Sequence, residues 1–450
     1  MGAFHAYDIR GVYNVDFDKE TAYKVGYFIP ELLSAGKVLV GRDCRVSSDE
    51  IHDSLVRGVT DAGADVYDLG LATTPMVYFG TAKYGFRASV QITASHNPAR
   101  YNGMKVSGEN ALPVGLDNGL GRIRDWIDSG RPCPAAVKKG TVHKMDIHKD
   151  YLEFLLGFRQ DYSGLKIAMD VSNGMASLYV KEIFGDSPAY IYDTPDGRFP
   201  NHEPNPLVAE NVADLKALVK KTGADVGVIY DGDADRVMFV DENGRFISPD
   251  LMIAVLGHWF MEEKGEKGIV LQDIRSSKAV GEYLAPMGAE MATWKVGRAF
   301  AARKLRELDG VYGGELAGHY YFRDFFYSDS GLLASILILN VIAKMKKSGI
   351  SLSALIARIE KYQNSGEINF RIEDKQGAMD AVRDYFMGRE KAEAYMDFDG
   401  YRVEFPQWWF NIRPSNTEPY LRFICEASSK ELLDEKVDSV RRILSGQFGA

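Results

Sequence analysis

The apolar positions of the chain fall into three similar passages. Residues 37–43 form an apolar run ending in Asp43, followed by Ser47-Ser48 and a stretch with helical periodicity. Residues 166–170 end in Asp170, followed by Ser172-Asn173-Gly174 and another such stretch. Residues 268–273 end in Asp273, followed by Ser276-Ser277 and a third. A buried strand, a polar turn able to cap a helix, and then a helix is the building step of a parallel α/β sheet. A second strand follows in the first two passages, Ala64-Asp65-Val66-Tyr67-Asp68 echoed by Ala189-Tyr190-Ile191-Tyr192-Asp193.

The last stretch has a different rhythm. Glu367-Ile368-Asn369-Phe370-Arg371-Ile372 alternates as a half-exposed strand does. A helix-like 378–386, strands near 401–405, 408–412 and 421–426, and a helix from Ser429 follow. Strands and helices without the βα repeat predict a small α+β domain. The expected fold class is therefore α/β: three similar domains with mixed, largely parallel sheets, plus a smaller C-terminal α+β domain, around a central cleft. The boundaries are expected at 1–150, 151–250, 251–362 and 363–450.

Composition narrows the function. The 450 residues are 46% hydrophobic and 26% charged, the balance of a folded globular protein, and too long for a single ordinary core. No run of about 20 apolar residues occurs, so no membrane partner is expected. The early charged segment Tyr7-Asp8-Ile9-Arg10 leaves no room for a signal peptide, and the cytoplasm is the expected location. Cys44, Cys133 and Cys425 are few and scattered, against a disulfide framework. A net charge of −9 disfavours nucleic acid, yet allows a small anionic substrate if cations gather locally.

Three segments carry chemistry. Thr93-Ala94-Ser95-His96-Asn97-Pro98 follows an apolar run, placing a serine at a strand's end where α/β proteins bind ligands. Ser95 is a candidate nucleophile or phosphate carrier; a plain Ser/Asn turn is the alternative. Asp231-Gly232-Asp233-Ala234-Asp235-Arg236 lies between two apolar strands. Its alternate carboxylates point hard oxygens at a common centre, as Mg²⁺ or Ca²⁺ requires. Asp231, Asp233, Asp235 and Glu242 match four ligand positions of a calcium hand, but Arg236 stands where that loop needs glycine, so a calcium hand is not expected. Arg413-Pro414-Ser415-Asn416-Thr417-Glu418-Pro419, with Arg422 beyond, offers guanidiniums, hydroxyls and free N–H groups for a phosphate dianion. Gly314-Glu315-Leu316-Ala317-Gly318-His319 adds a Glu and a His able to hold sugar hydroxyls and relay a proton.

Together with Tyr7–Gly11, Gly41–Arg45 and Asn102-Gly103-Met104-Lys105, these segments resemble the α-D-phosphohexomutase family over essentially the whole chain, most closely its bacterial phosphomannomutases. The resemblance implies an intramolecular phosphotransferase that interconverts hexose 6-phosphate and hexose 1-phosphate through a 1,6-bisphosphohexose, which also serves as activator. It implies that Ser95 is phosphorylated at rest, and that Asp231, Asp233 and Asp235 hold Mg²⁺ with an oxygen of that phosphoserine. Lys105, Arg10 and Arg236 would stabilise the moving phosphoryl, with His96 beside it. Glu315 would contact the sugar, with Arg298 a further substrate residue, and Arg413, Ser415, Asn416, Thr417 and Arg422 would grip the phosphate that is not reacting. His319 or Lys105 would be the base.

Two departures from the family pattern stand out. Ala317 replaces a common serine in the sugar loop, loosening sugar preference; Ala234 replaces a common glycine, an exchange expected to be tolerated on a negative φ. Mannose phosphate is the first expected substrate and glucose phosphate the second. Glucosamine phosphate, a sugar-phosphate phosphatase and a non-enzymatic sugar-phosphate sensor are the alternatives. A monomer or homodimer is the expected assembly.

Overall fold

A computed structural model describes residues 2–415 and 420–449. Each of the first three sheets is built on one plan. In the first, the strand Lys37–Arg42 runs parallel to Asp65–Leu71 on one side and to Ala88–Ile92 on the other. Tyr101–Gly108 then returns antiparallel beside Ala88–Ile92. The second sheet places Ile167–Asp170 between Ala189–Ile191 and Val226–Tyr230, with Val237–Asp241 returning antiparallel. The third places Gly268–Asp273 between Ala289–Trp294 and Tyr312–Gly314, with Tyr320–Phe322 returning. The central strands, flanked by helices, are buried along most of their length, which is why they read as continuous apolar runs.

One consequence positions the site. In each domain the connection from the third strand to the antiparallel fourth lies at the same end of the sheet. It carries Ser95 in the first domain, Asp231–Arg236 in the second and Glu315–His319 in the third. At that end too, Asp43 directly follows the first central strand, and Asp170 and Asp273 close the second and third. Of the antiparallel fourth strands, Val237–Asp241 is the apolar run expected after the acidic loop, whereas Tyr101–Gly108 and Tyr320–Phe322 are buried on both faces and carry no alternation to mark them.

The C-terminal sheet is antiparallel, ordered Gln363–Asn364, Tyr420–Ala427, Trp408–Pro414, Tyr401–Glu404, Ala394–Met396, with Ile368–Arg371 also pairing Tyr420–Ala427. Helices Lys375–Met387 and Lys430–Phe448 pack on it around Phe386, Trp408 and Phe410. Among the described residues no helix is long and apolar enough to cross a membrane.

This last domain is fastened to the third by buried polar groups. Arg402, stacked on Trp409, donates to the carbonyls of Ile274 and Ser276 at 2.8 and 2.7 Å. Glu426 accepts from Ser277 Oγ and Trp409 Nε1 on one oxygen and from Asn364 on the other. Burial first, and the neighbouring Asp250 second, push the Glu426 carboxyl up to about 7, against its three donors. A carboxyl whose folded value is raised stabilises the fold fully below its unfolded value near 4.5 and loses that contribution as pH rises through about 7. The melting temperature of Glu426→Gln is therefore expected to fall less than wild type across this window, by a few degrees. Parallel wild-type and variant melting curves across that range would sink the assignment.

Candidate active site

The Ser95 hydroxyl donates to Asp231 Oδ2 at 2.8 Å, and His96 Nδ1 lies 3.4 Å from Ser95 Oγ. Ser95 is 1% exposed and its φ is +50°, a left-handed conformation that costs a non-glycine residue about 1 kcal/mol or more. The acidic loop comes close enough to make glycine necessary: a Cβ on Gly232 would sit 2.5 Å from the Ser95 carbonyl oxygen.

Asp231, Asp233 and Asp235 are fully buried, and one oxygen from each lies within 4.8 Å of the others. Lys105 Nζ donates to Asp233 Oδ2 at 2.6 Å and Asp235 Oδ2 at 2.5 Å. Asp233 Oδ1 and Asp235 Oδ1 are buried with no hydrogen-bond donor among the described residues. An all-oxygen donor set with buried lone pairs to spare fits a hard divalent cation. Burial, then Asp235 and Asp233, hold the Asp231 carboxyl well above the usual range. Burial works to raise Asp235 too, but Lys105 and His319 override it and hold it low. Lys105 is likewise pressed down by burial and pulled up by Asp233 and Asp235, and the pull wins.

Ala234, expected on a negative φ, has φ +64°. The alanine is tolerated for another reason. Its N–H donates to Asp231 at 3.3 Å and its carbonyl accepts from Gly331 at 3.1 Å, so the turn is held from both ends.

A cleft of about 690 Å³ opens over these groups, lined from all four domains. Arg10 reaches it with Nη1 on Asn97 Oδ1 at 2.9 Å and Nη2 on Asp8. Burial, then Arg236, Arg10 and Lys105, push His96 well below the usual histidine value, so it sits there neutral. His319 donates from Nδ1 to Asp329 at 2.7 Å and accepts at Nε2 from Arg236 Nε at 2.9 Å, which assigns the proton to Nδ1. Glu315 is 1% exposed; Tyr321 Oη donates to its Oε1 at 2.6 Å and Gly297 N to its Oε2 at 3.2 Å.

Arg298 lines the cleft, yet its Nε is committed to Asp329 at 2.9 Å and its guanidinium lies 3.9 Å over the Tyr78 ring. Arg413, Ser415 and Arg422 line the cleft from the fourth domain, with Arg413 and Arg422 paired across neighbouring strands. Arg422 also meets Glu367 at 3.0 Å. Asn416 and Thr417 lie outside the described residues.

Sequence reasoning missed two groups. Arg275 lines the cleft on the same side as Arg413, clamped by Asp273 through Nε at 3.1 Å and Nη2 at 2.8 Å. Asp273 also accepts from Leu316 N at 2.8 Å, joining this cation to the loop of Glu315. Asp329 orients His319. A signal for Arg275 was present, since Asp-x-Arg stands at both Asp43 and Asp273. Nothing in the sequence marks Asp329.

A serine hydroxyl on buried carboxylates, ringed by Lys and Arg from several domains, is the arrangement of a metal-assisted phosphoryl-transfer site. The sequence models for phosphoglucomutase/phosphomannomutase alpha/beta/alpha domains I, II and III match residues 1–129, 149–244 and 248–362, and that for the C-terminal domain matches 367–443. The chain belongs to the phosphoglucomutase/phosphomannomutase family. It is 36% identical over 448 residues to a phosphomannomutase of Methanocaldococcus jannaschii, covering 98% of this chain and 97% of that protein. It is 36% identical over 454 residues to a Xanthomonas campestris protein named as phosphohexose mutases, covering 99% and 100%. The crystal structure of a phosphoglucomutase/phosphomannomutase family protein from Burkholderia thailandensis superposes with a TM-score of 0.88 at 29% identity, covering 99% of this chain and 97% of that one.

Proposed function

We propose that the protein is a phosphohexomutase that moves a phosphoryl group between the 6- and 1-oxygens of mannose, and of glucose, with Ser95 as carrier. The observation that carries this reading is the Ser95 hydroxyl held on Asp231, in a cleft that Arg275 and Arg413 also line from the third and fourth domains. Two groups of cations, Arg10, Lys105 and Arg236 about His96 and Arg275 beside Arg413, suit a substrate with a phosphate at either end.

Asp231, Asp233 and Asp235 would hold Mg²⁺, which when bound supplies positive charge to the phosphoryl oxygens. The chain's own groups do the rest. Arg413, Ser415 and Arg422, with Arg275, grip the non-reacting phosphate, and Glu315 accepts from the sugar hydroxyls. The free sugar hydroxyl attacks phosphorus as the bond to Ser95 Oγ breaks, while Lys105, Arg10 and Arg236 face the charge spread over the phosphoryl oxygens. The hydroxyl proton has to leave. Lys105 is a poor acceptor, because its carboxylate neighbours hold its proton. His319 Nε2 has a lone pair, released when Arg236 turns toward the phosphoryl group. The resulting bisphosphohexose turns round, its second phosphate returns to Ser95, and the isomer leaves.

The test is one panel: mannose, glucose and glucosamine phosphates with Mg²⁺ and a bisphosphohexose primer. Mannose and glucose are expected within about tenfold of each other in kcat/KM, since about 1.4 kcal/mol is all that one lost hydroxyl contact supplies. Glucosamine is expected below both. Inorganic phosphate released as fast as the isomer forms would mark a phosphatase instead.

A further inference from the structure

The Asp43-Cys44-Arg45 turn takes no part in the chemistry above, and Arg45 lies under the cleft floor with its side chain fully buried. A guanidinium has five N–H donors, and Arg45 spends all five inside the fold. Nε donates to Asp43 Oδ2 at 3.1 Å. Nη1 donates to the carbonyls of Pro98 and Tyr101 at 2.8 and 3.0 Å, and Nη2 to those of Ser95 and Asn97 at 2.9 and 2.6 Å. The planar fork thus takes four carbonyl oxygens from one loop, that of Ser95. Asp43 fixes the fork in turn, accepting also from Arg45 N at 3.0 Å and Ser48 Oγ at 2.6 Å. Phe199 of the second domain stacks on the guanidinium at 4.9 Å.

The same turn in the third domain makes the contrast. Arg275 is clamped by Asp273 through its N and Nε, as Arg45 is by Asp43, yet it lines the cleft. One repeated device therefore faces outward in one domain and inward in the other. What the inward copy holds is a strained backbone: Ser95 at φ +50°, its N–H on Thr93 Oγ1 at 2.9 Å and its carbonyl on Arg45.

We propose that Arg45 is a positioning residue for phosphoryl transfer, holding the Ser95 loop in its reactive left-handed form by binding four of its carbonyl oxygens. This rests on Ser95 being the carrier. Lysine in its place keeps the charge and loses the planar fork.

The test uses full-length wild type, Arg45→Lys and the milder Asp43→Asn, each loaded with phosphate from a bisphosphohexose and checked by intact mass. Transfer to mannose 6-phosphate is then followed in a single turnover, and the Kd for mannose 6-phosphate is measured on the unphosphorylated proteins. Arg45→Lys is expected to transfer about 100-fold more slowly, the cost of misplacing a reacting atom by about 1 Å, with Kd within about threefold of wild type. Asp43→Asn is expected to lose less, in the same direction. Transfer at the wild-type rate in Arg45→Lys overturns the proposal, as does a parallel loss of transfer and binding, which would mark general disruption. If Arg45→Lys does not fold, wild-type transfer in Asp43→Asn overturns it. Wild type that takes no phosphate on Ser95 removes the proposed function and this proposal with it, an outcome read without either variant.

Discussion

Ser95→Ala is expected to lower turnover by about 10⁴-fold or more, equivalent to about 5.5 kcal/mol of barrier, while sugar-phosphate binding stays within about threefold of wild type. The split follows from geometry. Two described hydroxyls are held on the acidic triad, Ser95 Oγ on Asp231 and Thr74 Oγ1 on Asp233, and of these Ser95 alone lines the cleft. The groups assigned to grip substrate, Glu315, Arg275 and Arg413, stand on the third and fourth domains and do not lean on this side chain. An isomerase assay with bisphosphohexose, intact mass and calorimetry together decide the matter. Wild-type turnover in the variant would sink the mutase reading. A phosphate still gained by the variant protein would move the carrier to His96, whose Nδ1 lies 3.4 Å from Ser95 Oγ.

Lys105→Met removes the cation that Asp233 and Asp235 share at 2.6 and 2.5 Å. Both carboxylates are fully buried, and stripping a buried charge of its partner costs about 3–5 kcal/mol. The melting temperature in EDTA should fall accordingly. Added Mg²⁺ should restore most of it, because a cation that binds only the folded state stabilises that state. Turnover should stay about 10²–10³-fold down even with Mg²⁺, since the phosphoryl oxygens have lost a fixed positive neighbour. An EDTA melting temperature equal to that of wild type would show that Lys105 does not balance the triad.

The loops of Ser95, Asp231–Asp235 and Glu315 were legible as places in the fold because each interrupts an apolar strand with short-range polar chemistry. Three repeats of strand, turn and helix were legible for the same reason. The hidden parts depend on distance. Asp329 meets His319 through a short strand pairing, and its sequence neighbours Ser328 and Ser330 look like any capping turn. Arg275 and Arg45 share a dipeptide spacing, and only the structure shows that one faces the cleft and the other the floor. One of the two hydrogen bonds that hold Ala234 at its positive φ comes from Gly331, nearly a hundred residues on, which no local pattern reveals.

The Ser95–Asp231 contact spans 136 residues of chain. At roughly 5–20 residues per second a ribosome adds that length in about 7–27 s. The arginine and all four carbonyls that it binds are in the chain once Tyr101 is added, whereas the carboxylates of the acidic loop begin 130 residues later, at Asp231. Completing the site is therefore a matter of chain growth as much as of packing: the serine loop is made early and meets its carboxylate only when the second domain has been added.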